Sequence, residues 1–205
     1  MMVDLFSSDI SFSRIAMPDA DVQFLQRLPM PQSDENIFEQ LFSETKWLQE
    51  KVMVWGKEHY QPRLTAWYGD PGRSYTYSGT VMFPLPWTNL LLSLRHELEE
   101  LTDARFNSVL LNLYRDHNDR MGFHSDNEPS LGQEPTIASL SYGATRTLIF
   151  KHKKRQDLER KRVSLVSGSM LLMKGSTQRN WVHGIDKESR PCGPRINLTF
   201  RNILK

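Results

Sequence analysis

Residues 195–201 read RINLTFR, and the alternation in this stretch sets the fold class. Successive side chains of a strand point to opposite sides. Arg195, Asn197, Thr199 and Arg201 therefore share one face, and Ile196, Leu198 and Phe200 share the other. The apolar face is a core face. The polar face carries two guanidinium groups, and both a solvated outer sheet surface and the wall of a polar pocket account for it. Asn112 and Tyr114, in NLY, share one face of their own strand in the same way, so the two strands together can line one pocket.

Upstream of this strand, from about residue 107, the chain is a succession of short β-rich runs: SVLLNLY, TIASLSYG, TRTLIFKH, VSLV and SMLLMK, separated by Gly, Pro, Asn and Asp. Such spacing predicts a sandwich or barrel. Nearer the N-terminus, Ser33 followed by Asp34 and Glu35 marks a helix start, with Ile37, Phe38, Leu41 and Leu48 at helical spacing. After PLPW, Leu90, Leu91, Leu94, Leu98 and Leu101 form a second stripe opposite Arg95, Glu99 and Glu100. Both helices read as scaffold that buries one face. A chain of 205 residues, 39% hydrophobic, has material for one substantial core. The expectation is a mainly β protein with flanking helices (α+β), one structural domain overall.

The overall charge of +2 is unevenly spread. Residues 1–50 hold 3 Lys/Arg against 9 Asp/Glu, net −6, while residues 51–205 hold 23 against 15, net +8. Within the basic part, KHKKRQDLERKR (Lys151 to Arg162) is dense enough to meet phosphates, although solvated hairpin tips carry such runs too. MMVDLFSSDI lacks the basic start and apolar run of a signal peptide, and no stretch approaches the roughly 20 apolar residues of a membrane helix. A soluble, unexported protein with no membrane partner is expected. The lone Cys192 excludes an internal disulfide and a cysteine-rich zinc module, so any metal must sit on His and carboxylate.

The stretch MGFHSDNE places His124 and Asp126 one residue apart, a pair that exposed loops also carry without a metal. A third ligand must come from the remaining histidines. His59, His96, His117 and His152 read as loop or helix-face residues without β context. His183, in NWVHG, follows the apolar run SMLLMK and a Gly-Ser turn, 57 positions beyond Asp126. Two His and one carboxylate with coordination positions left open are the ligand set of non-haem Fe(II) oxygenases, whereas structural zinc closes its tetrahedron. Arg195, twelve residues after His183, suits bidentate pairing with a carboxylate of a co-substrate.

These residues, with GKEHYQPR, AWYGD, YTYSG, LPW, NLYRD, ASLSYGATRTLIFKHK and RINLTFRNI, resemble the AlkB family of Fe(II)- and 2-oxoglutarate-dependent dioxygenases, and within it the type that repairs duplex DNA. The likeness runs from about residue 51 to the C-terminus. It implies a double-stranded β-helix, a cupin-like jelly roll, divided into an N-terminal extension with a packing helix (1–50), a nucleotide-recognition lid (51–90) and a catalytic core (91–205). It assigns His124, Asp126 and His183 to Fe(II). It places Asn112, Tyr114, Arg195, Asn197, Thr199 and Arg201, with Ser139, around 2-oxoglutarate, Arg195 taking the distal carboxylate. O2 is the remaining co-substrate. The implied reaction is oxidative demethylation of 1-methyladenine and 3-methylcytosine in alkylated DNA, releasing formaldehyde and succinate.

A methyl group on the pairing edge of a base is out of reach inside the stack, so the resemblance also implies base flipping into an aromatic-walled pocket. Tyr75 and Tyr77 match base-contacting positions, Tyr77 stacking the base against His124. Glu128 matches the contact to the exocyclic edge, Trp55 an aromatic finger, and Arg63 a DNA-contacting basic residue. Strand packing is the rival explanation for the tyrosines and core burial for Trp55. RNA or a protein side chain as the substrate, and a metal-free cupin-like binding module, are the alternative functions. A monomer is expected, cytoplasmic in a bacterium and nuclear in a eukaryote.

Overall fold

The structure, a computed structural model, describes residues 10–54, 56–72, 75–77 and 80–204. Strands β1 (Ser13–Arg14) and β2 (Asp21–Leu25) precede helix α1 (Asp34–Glu44). The hairpin of β3 (Lys51–Val54) and β4 (Lys57–Tyr60) leads into β5 (Leu64–Gly69), then into a second hairpin of β6 (Tyr75–Tyr77) and β7 (Thr80–Met82). After helix α2 (Asn89–Thr102) come β8 (Ser108–Tyr114), β9 (Met121–His124), β10 (Ile137–Gly143), β11 (Arg146–His152), β12 (Lys161–Leu165) and β13 (Met170–Lys174). A short helix α3 (Thr177–Asn180), β14 (Trp181–Ile185) and β15 (Arg195–Arg201) complete the chain. None of these helices is long and apolar enough to cross a membrane.

Seven strands form a major sheet in the order β1-β2-β13-β10-β15-β8-β5, and four form a minor sheet in the order β12-β11-β14-β9. Their pairings are antiparallel, and apolar side chains of both sheets meet in one cluster, Ile137, Leu171 and Met173 with Leu148, Phe150, Val163 and Trp181. Two antiparallel sheets closed on a shared interior make the jelly roll. The outer face of the major sheet is covered instead by α1 and α2, through Ile37, Leu41, Leu91, Leu94 and Leu98. Both helices begin on side-chain caps: Ser33 Oγ accepts from Asn36 N at 3.2 Å and Thr88 Oγ1 from Leu91 N at 3.2 Å.

β15 lies between β10 and β8 in the middle of the major sheet. Ile196, Leu198 and Phe200 are completely buried on the helix side. The polar face is buried as well: Arg195, Asn197 and Thr199 are 1%, 9% and 7% exposed, so it is a pocket wall and not an outer sheet surface. Fully burying three large apolar side chains contributes roughly 5–9 kcal/mol gross. That anchorage offsets the unfavourable placement of guanidinium groups on the opposite face.

Three expectations need correction. Helix α1 stops at Glu44, so Leu48 does not extend its stripe; it is 61% exposed and its backbone pairs with Thr65. His59 and His152 are not in loops: His59 lies in β4, paired with Val52, and His152 ends β11, opposite Trp181. In the major sheet β2 pairs with β13 and β5 with β8. Within 51–90 only the β3-β4 and β6-β7 hairpins stand apart from the major sheet.

Gly143 closes β10 directly opposite Arg195. Its φ of +91° lies in the left-handed region, and a Cβ there would meet Pro194 O at 2.5 Å and the Phe38 ring at 2.7 Å. The nearest of these neighbours is backbone and has little room to yield. Gly143→Ala is therefore expected to lower stability by at least about 2 kcal/mol. Urea unfolding followed by circular dichroism reads this directly; an unchanged midpoint would show that the β10-β15 end relaxes freely.

Candidate metal centre and its two chambers

His124 ends β9 and sits directly across from His183 on β14. Strand pairing alone therefore brings the two imidazoles together, with ring centroids 4.5 Å apart. The register shifts immediately after His183, where Gly184 lets the backbone of β9 approach: a Cβ on it would lie 3.0 Å from Met121 O. Beyond His124 the chain turns inward and buries Asp126, which is 2% exposed. One ligand atom from each of His124, Asp126 and His183 lies within 4.8 Å of the others, the one such group of His, Cys, Asp or Glu among the described residues.

The protonation states suit a cation. His124 Nδ1 lies 2.9 Å from Gly122 O; a carbonyl can only accept, so Nδ1 carries a proton and Nε2 is the nitrogen left to face a metal. Burial, reinforced by His124, pushes the His183 imidazole down to about 3. His183 is thus neutral near pH 7, and its 3.6 Å approach to Asp126 Oδ2 is a pair of ligand atoms and not an ion pair. Burial alone would raise the Asp126 carboxyl, but the Arg201 guanidinium and the two imidazoles outweigh it and hold it below the usual carboxylate range. Arg201 Nη2 donates to Asp126 Oδ1. Two neutral imidazole nitrogens and one carboxylate, open on the remaining side, fit Fe(II).

Asp126 is positioned by a residue that the sequence did not single out. Gln178, on α3 and 1% exposed, accepts the Asp126 N–H on Oε1 at 3.0 Å. Lys153 Nζ clamps the same corner, donating to Ser125 Oγ at 2.9 Å and to Gln178 O at 2.8 Å. One lysine of the basic run is therefore spent on the metal loop, while Lys154, Arg155, Arg160 and Arg162 are exposed at the β11-β12 hairpin.

Behind the triad, between the sheets, lies an inner chamber walled by Asn112, Tyr114, Ser139, Arg195, Asn197 and Thr199, with Leu148, Leu165, Met173 and Ile185 facing them. Arg195 Nη2 donates to Ser141 Oγ at 2.8 Å, and its guanidinium lies 5.2 Å from the centre of the Tyr114 ring. Its Nε and Nη1 are buried with no acceptor among the described residues. Burial pushes this guanidinium down to about 10, which leaves it charged at neutral pH. Asn197 is already engaged, donating from Nδ2 to Ser139 Oγ and Leu140 O at 2.8 Å and accepting from Thr199 Oγ1 at 3.2 Å. Ser141 was missed at the sequence level, although its place two residues after Ser139 puts it on the same face of β10.

His124, Asp126, Arg201, Leu110 and Met121 also line a second, outer chamber, whose far wall is Glu50, Gln61, Arg63, Thr65, Trp67, Glu128 and Leu131. Arg63 is 8% exposed and donates from Nε to Asn112 Oδ1 at 2.7 Å. The residue expected to contact DNA is therefore a buried one that lines the chamber. Glu128 reaches the same space, as its place two residues beyond Asp126 suggests. Trp55 and the side chains of Tyr75 and Tyr77 lie outside the described residues.

Removing the hydrogen bond that fixes Asp126 tests this geometry. Gln178→Leu is expected to weaken metal binding by about tenfold with the fold intact, as outer partners of ligands commonly do. Titration of the metal-free protein with Mn(II), followed by electron paramagnetic resonance, measures it; equal affinities would show that Asp126 is held without Gln178.

The sequence matches the 2OG-Fe(II) oxygenase superfamily over residues 21–201. It is 44% identical over 177 residues to the Bos taurus alpha-ketoglutarate-dependent dioxygenase alkB homolog 3, covering 82% of this chain and 61% of that protein. The chain thus spans about three-fifths of that relative's length. Against the Mus musculus DNA oxidative demethylase ALKBH2 it is 41% identical over 179 residues, covering 83% of this chain and 75% of that protein. The solved structure of OsALKBH1 shares the fold, with a TM-score of 0.64 at 17% identity, over 92% of this chain and 100% of that one. Together with the His-Asp-His centre and the buried arginine behind it, these matches place the chain in the AlkB family of the 2OG-Fe(II) oxygenase superfamily.

Proposed function

We propose that this protein is an Fe(II)- and 2-oxoglutarate-dependent dioxygenase that demethylates 1-methyladenine and 3-methylcytosine in alkylated DNA, releasing formaldehyde and succinate. The observation that carries the reading is Arg195, a buried cation with two unspent donors at the back of a chamber whose front is the metal triad. A dicarboxylate co-substrate matches that spacing of charge. Arg195 Nε and Nη1 would hold its distal carboxylate, and Arg201 would stand beside its keto-acid end. Fe(II), held by His124, Asp126 and His183, supplies oxygen activation coupled to decarboxylation of 2-oxoglutarate.

The chain's own residues do the positioning. Leu148, Leu165, Met173 and Ile185 on the inner wall keep water from the co-substrate. The outer chamber shares His124 and Asp126 with the metal centre, so a base held there presents its N-methyl group to the same centre. Glu128 meets the exocyclic edge, and Tyr75 and Tyr77 supply the aromatic wall. Hydroxylation of the methyl carbon gives a hemiaminal that collapses to formaldehyde and the repaired base. A base enters such a space only when flipped from the stack, with Trp55 filling the vacancy and the exposed basic hairpin meeting phosphates. The names of the relatives, an alpha-ketoglutarate-dependent dioxygenase and a DNA oxidative demethylase, support both the co-substrate and DNA.

The test is formaldehyde release from oligonucleotides carrying either lesion, as single- and double-stranded DNA and as RNA, with Fe(II), ascorbate and 2-oxoglutarate. Formaldehyde is expected from both lesions in DNA, in step with succinate, and is expected to be lost in a folded Asp126→Ala variant. Release from RNA alone would move the substrate to RNA. Succinate formation that none of these strands stimulates would contradict the nucleobase reading.

A further inference from the structure

Gln61 sits in the segment joining β4 to β5, is 3% exposed, and lines the outer chamber with Glu50, Arg63 and Glu128 across from His124 and Asp126. Its backbone is fully engaged: the N–H donates to Glu50 O at 2.8 Å and the carbonyl accepts from Gln49 Nε2 at 3.0 Å. Its carboxamide is only half used. Nε2 lies 3.5 Å from Glu50 Oε2, whereas Oε1 is buried with no donor among the described residues. The amide cannot be reversed to relieve this, because its oxygen would then face the Glu50 carboxylate. A buried acceptor without a donor is unfavourable in the empty chamber and becomes favourable when a guest supplies an N–H.

The guest's chemistry follows from what surrounds that oxygen. Gln61 Oε1 and the Glu50 and Glu128 carboxylates make this wall rich in acceptors, and acceptors with negative charge favour a cationic, donor-bearing edge. Adenine methylated at N1 and cytosine methylated at N3 are such cations, with an amino group beside the methylated nitrogen. Thymine methylated at N3 is neutral there and presents carbonyl oxygens on both sides of the methylated nitrogen instead. We propose that Gln61 is a specificity-determining residue: its Oε1 accepts an N–H from the amino group next to the methylated nitrogen, selecting amino-bearing lesions over oxo-bearing ones. This rests on the nucleobase reading above and assigns one residue a role within it.

The cleanest comparison is 3-methylcytosine against 3-methylthymine in the same single strand, since the methylated position is shared and amino is exchanged for oxo. The ratio of kcat/KM values is expected to favour 3-methylcytosine by about tenfold or more, as sites that hydrogen-bond a substrate N–H do. Gln61→Met, close in size but without the acceptor, is expected to bring the ratio down by about tenfold, through loss on 3-methylcytosine with 3-methylthymine unchanged. Gln61→Glu keeps an acceptor and is expected to keep the preference. The affinities of the metal-free proteins for the two strands, read by fluorescence anisotropy, should shift in parallel without turnover. Equal losses on both lesions, an unchanged ratio in Gln61→Met, or loss of preference in a folded Gln61→Glu would overturn the assignment and leave Gln61 as wall packing. Should Gln61→Met fail to fold, the Gln61→Glu ratio decides. A wild-type protein that acts on neither strand would overturn the nucleobase reading, and this inference with it.

Discussion

Arg195 and Arg201 project from the central strand β15 into the space between the sheets, where a guanidinium group is several kcal/mol less favourable than in water unless anions meet it. The strand cannot turn them outward. Ile196, Leu198 and Phe200 fill the opposite face under the two helices, and a shift of one residue would send those three into the polar interior. Arg201 finds its anion in Asp126, and in doing so keeps that carboxylate ionised for a metal. Arg195 has only the Ser141 hydroxyl and the face of Tyr114. Its Nε and Nη1 meet no acceptor among the described residues, and a carboxylate is the group that would suit them.

The two sheets divide the work. The minor sheet supplies His124 and His183 as a cross-strand pair, and the turn after β9 supplies Asp126, so the ligands come from the edge of one sheet and the corner that Gln178 and Lys153 pin. The major sheet supplies the anion-binding wall. Arg63 joins the chambers by donating to Asn112, which makes the wall between inner and outer chamber a hydrogen-bonded one. Arg146, buried and donating to the carbonyls of Asp116, Asp119 and Asp186, ties the loops around the metal into the same core.

Much of this was legible in the sequence because period two is a physical constraint. The alternation in RINLTFR and NLY marked which side chains share a wall, and the leucine stripe of α2 marked the scaffold. The period could not say whether the polar wall faced solvent or the interior, since that depends on the sheet packed against it. Gln178, Ser141 and Gln61 were invisible for a related reason: each acts through one hydrogen bond to a residue distant in sequence or through one that it lacks. Nor could the period give the strand order, because sheet neighbours need not be sequence neighbours, as the pairing of β2 with β13 shows.

The central claim is that the His-Asp-His corner and the unpaired Arg195 are two ends of one binding site. A crystal structure of the protein with Mn(II) and 2-oxoglutarate under anaerobic conditions tests it most directly. The metal should lie on His124, Asp126 and His183, with one molecule of 2-oxoglutarate spanning from it to Arg195 and both free donors of that guanidinium taken up. A metal bound elsewhere, or a co-substrate that leaves Arg195 unpaired, would contradict the account.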